Sequence, residues 1–78
     1  MTPQEFRDIR LGLMLTQADL AIVLGYSHRI RVTELECGTA RIPRHIADAM
    51  AYMARHGLLP REQWGDPVRG WTLRFLAA

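Results

Sequence analysis

The stretch Leu15-Thr16-Gln17-Ala18-Asp19-Leu20-Ala21, answered by Gly25 and then by Val32, Leu35, Glu36 and Gly38, narrows the folds open to this chain more than any other segment. Thr16 suits a helix N-cap, because its hydroxyl can accept from an otherwise unpaired N–H of the first turn. Asp19 follows three residues later, where its carboxylate can accept from the Thr16 N–H and meet the positive end of the helix dipole. Leu20, Ala21 and Leu24 share one stripe at helical period. Gly25 tolerates the left-handed conformation that ends a helix and turns the chain. Ser27 is placed to cap a second helix, which buries Val32 and Leu35 and stops at Gly38. The spacing predicts helix two near Thr16–Leu24 and helix three near Arg29–Glu36, packed across a tight turn.

With 78 residues, the chain has room for one small domain and a single core. A hydrophobic fraction of 49% is ample for folding and argues against disorder. No apolar run approaches a membrane span and no signal-peptide pattern opens the chain, so the expected location is the cytoplasm. The lone cysteine, Cys37, cannot form an internal disulfide, and no Cys/His grouping has zinc-ligand spacing, so neither a metal nor a cofactor is expected.

The flanking segments read as further helices. Thr2 and Pro3 open helix one as cap and first helical residue, with Glu5 three residues after the cap. Phe6, Ile9, Arg10 and Leu13 then share a face, although Gly12 weakens the helix by about 1 kcal/mol relative to alanine. Pro43 starts helix four, which is expected to turn Ile46, Ala47, Met50, Met53 and Ala54 inward and to end at Gly57. Val68, Trp71, Thr72 and Phe75 suit a short helix, while Trp71, Leu73 and Phe75 alternate like a strand; the helix is the expectation adopted. The fold class expected is all-α.

Net charge is only +2, but its distribution is uneven. All ten basic residues are arginine, and Arg29, Arg31, Arg41 and Arg44 cluster with His28 and His45, opposed only by Glu34 and Glu36. Two short helices across a tight turn, with arginines entering the second, is an arrangement that can place a helix in a DNA groove.

These residues resemble the Cro/cI-type (XRE-like) helix-turn-helix regulators, whose pattern runs L-T-Q-x-x-L-A, then G, then a hydrophobic residue four before E-x-G. The resemblance spans roughly Phe6 to Gly57. It implies a compact, lambda-repressor-like bundle of about five helices in which helices two and three form the motif. Three positions depart from the pattern. The turn Gly25-Tyr26-Ser27-His28 is one residue longer than the common form, Cys37 stands where a polar residue usually precedes the glycine, and Met14 stands where a glycine often ends helix one. Residues 1–57 are accordingly expected to form the DNA-binding domain. Residues 58–78 are expected to form a C-terminal extension that caps the core or dimerises.

Arg10 is unusual on an apolar face, and a buried arginine needs a carboxylate. Glu36 is the candidate, and the resemblance implies the same structural pair; the alternative is that Arg10 snorkels to solvent. With Val32 and Leu35 inward, His28, Arg29, Arg31, Thr33 and Glu34 are the expected base-reading set. Arginine can bond a guanine edge through two hydrogen bonds, and glutamate can accept from a cytosine amino group. Ile30 could contact a thymine methyl or belong to the core, and partial burial is the expectation adopted. Thr16, Gln17, Ser27, Thr39, Arg41 and Arg44 are the expected contacts to the DNA backbone, with His45 beside them at the start of helix four. The alternative is that Gln17 and the basic loop are solvated surface, which is the less favoured reading for the loop.

Trp64, Trp71, Phe75 and Leu76 are the expected dimer interface, since aromatic residues favour interfaces; completion of the monomer core is the alternative. No histidine lies near a nucleophile in a recognisable spacing and no phosphate-binding glycine loop occurs, so no enzymatic activity is expected. The expected function is a homodimeric, operator-binding repressor. An antitoxin that also binds a protein through its tail, or an interaction module that keeps the fold without binding DNA, remain open.

Overall fold

The computed structural model describes residues 1–61 and Trp64. Those residues form four helices and no strand: α1 (Pro3–Gly12), α2 (Gln17–Leu24), α3 (Arg29–Cys37) and α4 (Arg44–His56). The helix expected near the C-terminus lies outside the described residues.

The first two helices begin as their sequences dictate. The Thr2 hydroxyl accepts from the Glu5 N–H at 3.1 Å, and the Glu5 carboxylate accepts from the Thr2 N–H at 3.1 Å. Thr16 and Asp19 repeat this reciprocal pairing at 3.0 and 3.3 Å. Each pairing satisfies two N–H groups that the helix itself leaves open.

Helix α2 ends at Gly25 with φ 81°, and α3 ends at Gly38 with φ 78°. After α2, the Tyr26 N–H reaches back to the Ala21 carbonyl at 2.9 Å. After α3, the Thr39 N–H reaches the Glu34 carbonyl at 3.0 Å. Such a wrapped end requires the left-handed backbone that glycine adopts without steric cost. Helix α1 closes with the same hydrogen bonds, Met14 N–H to Leu11 O at 3.0 Å and Leu15 N–H to Arg10 O at 3.3 Å. Its left-handed residue, however, is Met14, at φ 60°.

The core is one cluster. Phe6 of α1, Leu20, Ala21, Val23 and Leu24 of α2, Val32 and Leu35 of α3, and Ile46, Met50 and Met53 of α4 are all buried, with Leu59 closing it after α4. Helix α3 is the shared partner, packed against both α1 and α2, while α4 covers α1.

Two expectations about burial fail. Ala54 is exposed and Ala49 is buried in its place. The inward stripe of α4 centres on Ile46, Ala49, Met50 and Met53, and Ala54 falls about a quarter-turn to one side. Ile30 is 63% exposed, not partly buried. It lies nearly opposite Val32 and Leu35 around α3, so burying those two turns Ile30 to solvent.

Candidate nucleic-acid interface

The α2–α3 pair is set in place from beneath. Arg10 Nε donates to Glu36 Oε2 at 2.8 Å and Nη2 donates to Oε1 at 3.1 Å, while Nη1 donates to the Leu15 carbonyl at 2.9 Å. Both side chains are buried, 10% and 5% exposed. One guanidinium therefore ties the end of α1, the lead into α2 and the last turn of α3 together. The pair expected from the sequence is formed, and Arg10 does not snorkel to solvent.

A second link joins α2 to α3 at the surface. The Thr33 hydroxyl donates to Gln17 Oε1 at 2.9 Å, with the Arg29 carbonyl a longer acceptor at 3.3 Å. Gln17 is half-buried, so it braces α3 with its oxygen while its amide nitrogen remains a donor. Thr16 is exposed, and its hydroxyl oxygen already caps α2.

Around α3, His28, Arg29, Ile30 and Arg31 are exposed, and Thr33 and Glu34 are half-buried. At about 100° per residue, Arg29 and Arg31 lie on opposite flanks of the helix, with Ile30 and Glu34 between them. The Arg29 flank faces the Gln17 side of α2. The Arg31 flank faces Tyr26 and the loop after α3. Ser27 does not cap α3; His28, extended at φ −141° and ψ 147°, occupies the N-cap without a side-chain hydrogen bond. The longer turn moves the helix start one residue past the serine.

Two shallow concavities flank Arg31. One, of about 340 Å³, is lined by Gly25, Tyr26, Ser27, His28, Ile30, Arg31 and Glu34. The other, of about 280 Å³, is lined by Tyr26, Arg31, Leu35, Ala40, Arg41, Pro43 and His45. Burial pushes the Tyr26 phenol up, and the nearby Arg31 charge pulls it down less strongly, so its hydroxyl stays a neutral donor at physiological pH.

Thr39, Arg41 and Arg44 are exposed on the loop and at the start of α4. Among the described residues, Arg10–Glu36 is the one ion pair, leaving Arg29, Arg31, Arg41 and Arg44 without a carboxylate partner there. Tyr26 joins this surface although the sequence pattern gave it no role, and His45 and Ile30 are exposed on it as well. The period of α3 is a signal that could have found Ile30.

Trp64 is half-buried against the core of its own chain, and its indole N–H donates to the Leu59 carbonyl at 2.9 Å. The Arg61 guanidinium lies over its ring, 5.6 Å from the centroid. Trp71, Phe75 and Leu76 lie outside the described residues. Among the described residues no group of three His, Cys, Asp or Glu could hold a metal ion, and no helix is long and apolar enough to cross a membrane. No protein-family model, curated protein or solved structure matches the chain.

Proposed function

We propose that this protein binds double-stranded DNA through α3 as a sequence-specific transcriptional regulator, acting as a repressor by occupying an operator. In this reading α2, the turn at residues 25–28 and α3 make a helix-turn-helix within a lambda-repressor-like bundle, as the resemblance to Cro/cI-type regulators implies. The observation that carries it is the surface of α3. Its N-terminal half projects Arg29, Ile30 and Arg31 into solvent, and Arg41 and Arg44 extend the same unpaired positive charge into the next loop and helix.

Each part has a chemical use at a DNA surface. Arg29 can bond the O6 and N7 of a guanine, Glu34 can accept from a cytosine amino group, and Ile30 offers an apolar contact to a thymine methyl. Unpaired arginines on the rim release counterions from the phosphate backbone and so supply affinity without sequence preference. The buried Arg10–Glu36 pair keeps α3 at a fixed angle, which groove reading requires.

Two half-sites about one helical turn apart would suit a homodimer, with Trp71, Phe75 and Leu76 as its interface and Trp64 packed against its own core. The test is an electrophoretic mobility shift on the promoter upstream of the protein's own gene, at stated salt, against shuffled DNA of equal composition. Tighter binding to the promoter supports the reading. Equal binding to both, or none, refutes sequence-specific regulation.

A further inference from the structure

Arg31 belongs to a different side of α3 from Arg29 and lies between two concavities, one shared with His28, Ile30 and Glu34 and the other turned toward the loop after α3. The concavity beside it gathers side chains from four places in the chain: Tyr26 from the turn before α3, Arg31 from α3, Arg41 from the following loop and His45 from α4. Its remaining lining, Leu35, Ala40 and Pro43, brings no acid. Glu34, the nearest acidic residue in sequence, lines the other concavity. Two guanidinium groups, an imidazole and a phenol thus surround one opening with no carboxylate to neutralise them.

Like charges brought together by separate elements repel unless an anion sits between them. Arginine forks match a tetrahedral oxyanion through paired N–H groups, and a neutral phenol adds an O–H donor. We propose that Tyr26, Arg31, Arg41 and His45 form a phosphoryl-anion site, in which Arg31 holds phosphate and does not read a base edge. The site itself stands on the geometry of the concavity; its use on the DNA backbone rests on the function proposed above. The same chemistry would accept free phosphate, and the two sources separate experimentally.

The first arm titrates the folded protein, without DNA, with inorganic phosphate at constant ionic strength, following Arg side-chain N–H, backbone amide and imidazole NMR signals. Saturable shifts confined to Tyr26, Arg31, Arg41 and His45 are expected. They should be lost in Arg31→Ala and Arg41→Ala, weakened in Tyr26→Phe, and retained in Arg55→Ala, which removes an equal charge at the far end of α4. Shifts spread over all the arginines, or surviving Arg31→Ala together with Arg41→Ala, overturn the site.

The second arm measures promoter and shuffled DNA. Arg31→Ala and Arg41→Ala should weaken both DNAs by a common factor, and each should flatten the slope of log K against log salt by about 0.9. If Arg31→Ala instead erases the preference for promoter DNA and phosphate leaves the pocket signals unmoved, the site is refuted while DNA binding stands. If phosphate binds as expected but neither DNA does, the anion site stands and the DNA reading falls.

Discussion

Removing Glu36 tests whether the buried ion pair holds the helices at their angle. In Glu36→Ala the Arg10 guanidinium stays in a site where its side chain is 10% exposed, having lost two hydrogen bonds of 2.8 and 3.1 Å and keeping only the Leu15 carbonyl. Leaving one partner of a buried pair uncompensated costs about 3–5 kcal/mol. Stabilities near 0.05–0.15 kcal/mol per residue give a chain of this length roughly 4–12 kcal/mol in all. The variant should therefore lose a large share of its stability, and its melting temperature should drop by at least about 12 °C at roughly 4 °C per kcal/mol.

The double variant Arg10→Met, Glu36→Leu removes both charges and refills the volume, so most of that loss should return. It should not return fully, because the Leu15 carbonyl loses its donor, a deficit of about 1 kcal/mol. Urea unfolding followed by circular dichroism on the wild type, Arg10→Met, Glu36→Leu and the double gives the coupling energy. A value above about 2 kcal/mol is expected for a buried pair, whereas exposed pairs give about 0.2–1 kcal/mol. If each single loses under about 1 kcal/mol and the coupling vanishes, as at an exposed pair, the pair does not organise the fold.

Met14→Gly should stabilise the protein by up to about 1 kcal/mol, since it removes a left-handed penalty of about 1–2 kcal/mol less the entropy glycine adds to the unfolded chain. Met14 is 91% exposed and gives up no packing, so a lower urea midpoint would show that its φ of 60° carries no strain. Glu5 is held below its ordinary value by its bonds to Thr2, so its stabilising contribution is present above the unfolded pKa and disappears as pH falls through the folded one. Glu5→Gln keeps the cap geometry without the charge, and its stability gap from wild type should hold above the ordinary value of 4.5 and close as pH falls below it; a gap that does not change with pH contradicts the assignment. Arg29→Ala should relax preference at one base pair by about 1–3 kcal/mol in competition binding, and an unchanged preference removes Arg29 from the reading set. His28→Asp should raise the unfolding midpoint by capping α3 while lowering DNA affinity by placing negative charge on the basic surface. Movement of both in the same direction refutes that trade.

Legibility in the sequence followed the range of the physics. The capping boxes at Thr2 and Thr16 and the stops at Gly25 and Gly38 depend on neighbours within one helical turn, and all are as the spacing predicts. Arg10–Glu36 was legible despite a sequence separation of 26, because a charge on an apolar face leaves few ways to be satisfied. The misses are positional. Ser27 failed as a cap because the extra turn residue shifted the start of α3, and Ile30 is more exposed than expected because its angle on the helix lies opposite Val32 and Leu35. The Gln17–Thr33 bond depends on how two helices meet, which no local pattern encodes.

The distribution of caps adds an argument the individual residues do not. Helices α1 and α2 each close their N-terminus with a reciprocal side-chain box, whereas α3 and α4 have no side-chain cap at all. A missing cap leaves about 1 kcal/mol of available stability unused. Both uncapped ends carry basic residues in place of acids, Arg29 and Arg31 in the first turn of α3 and Arg44 and His45 in that of α4. Positive side chains at the positive end of a helix dipole are unfavourable for folding. A surface that twice forgoes a cap and twice adds like charge is poorly arranged for the isolated chain. An anion laid across it would satisfy the open N–H groups and the arginines together, which is why the phosphate backbone suits this surface better than a neutral protein partner.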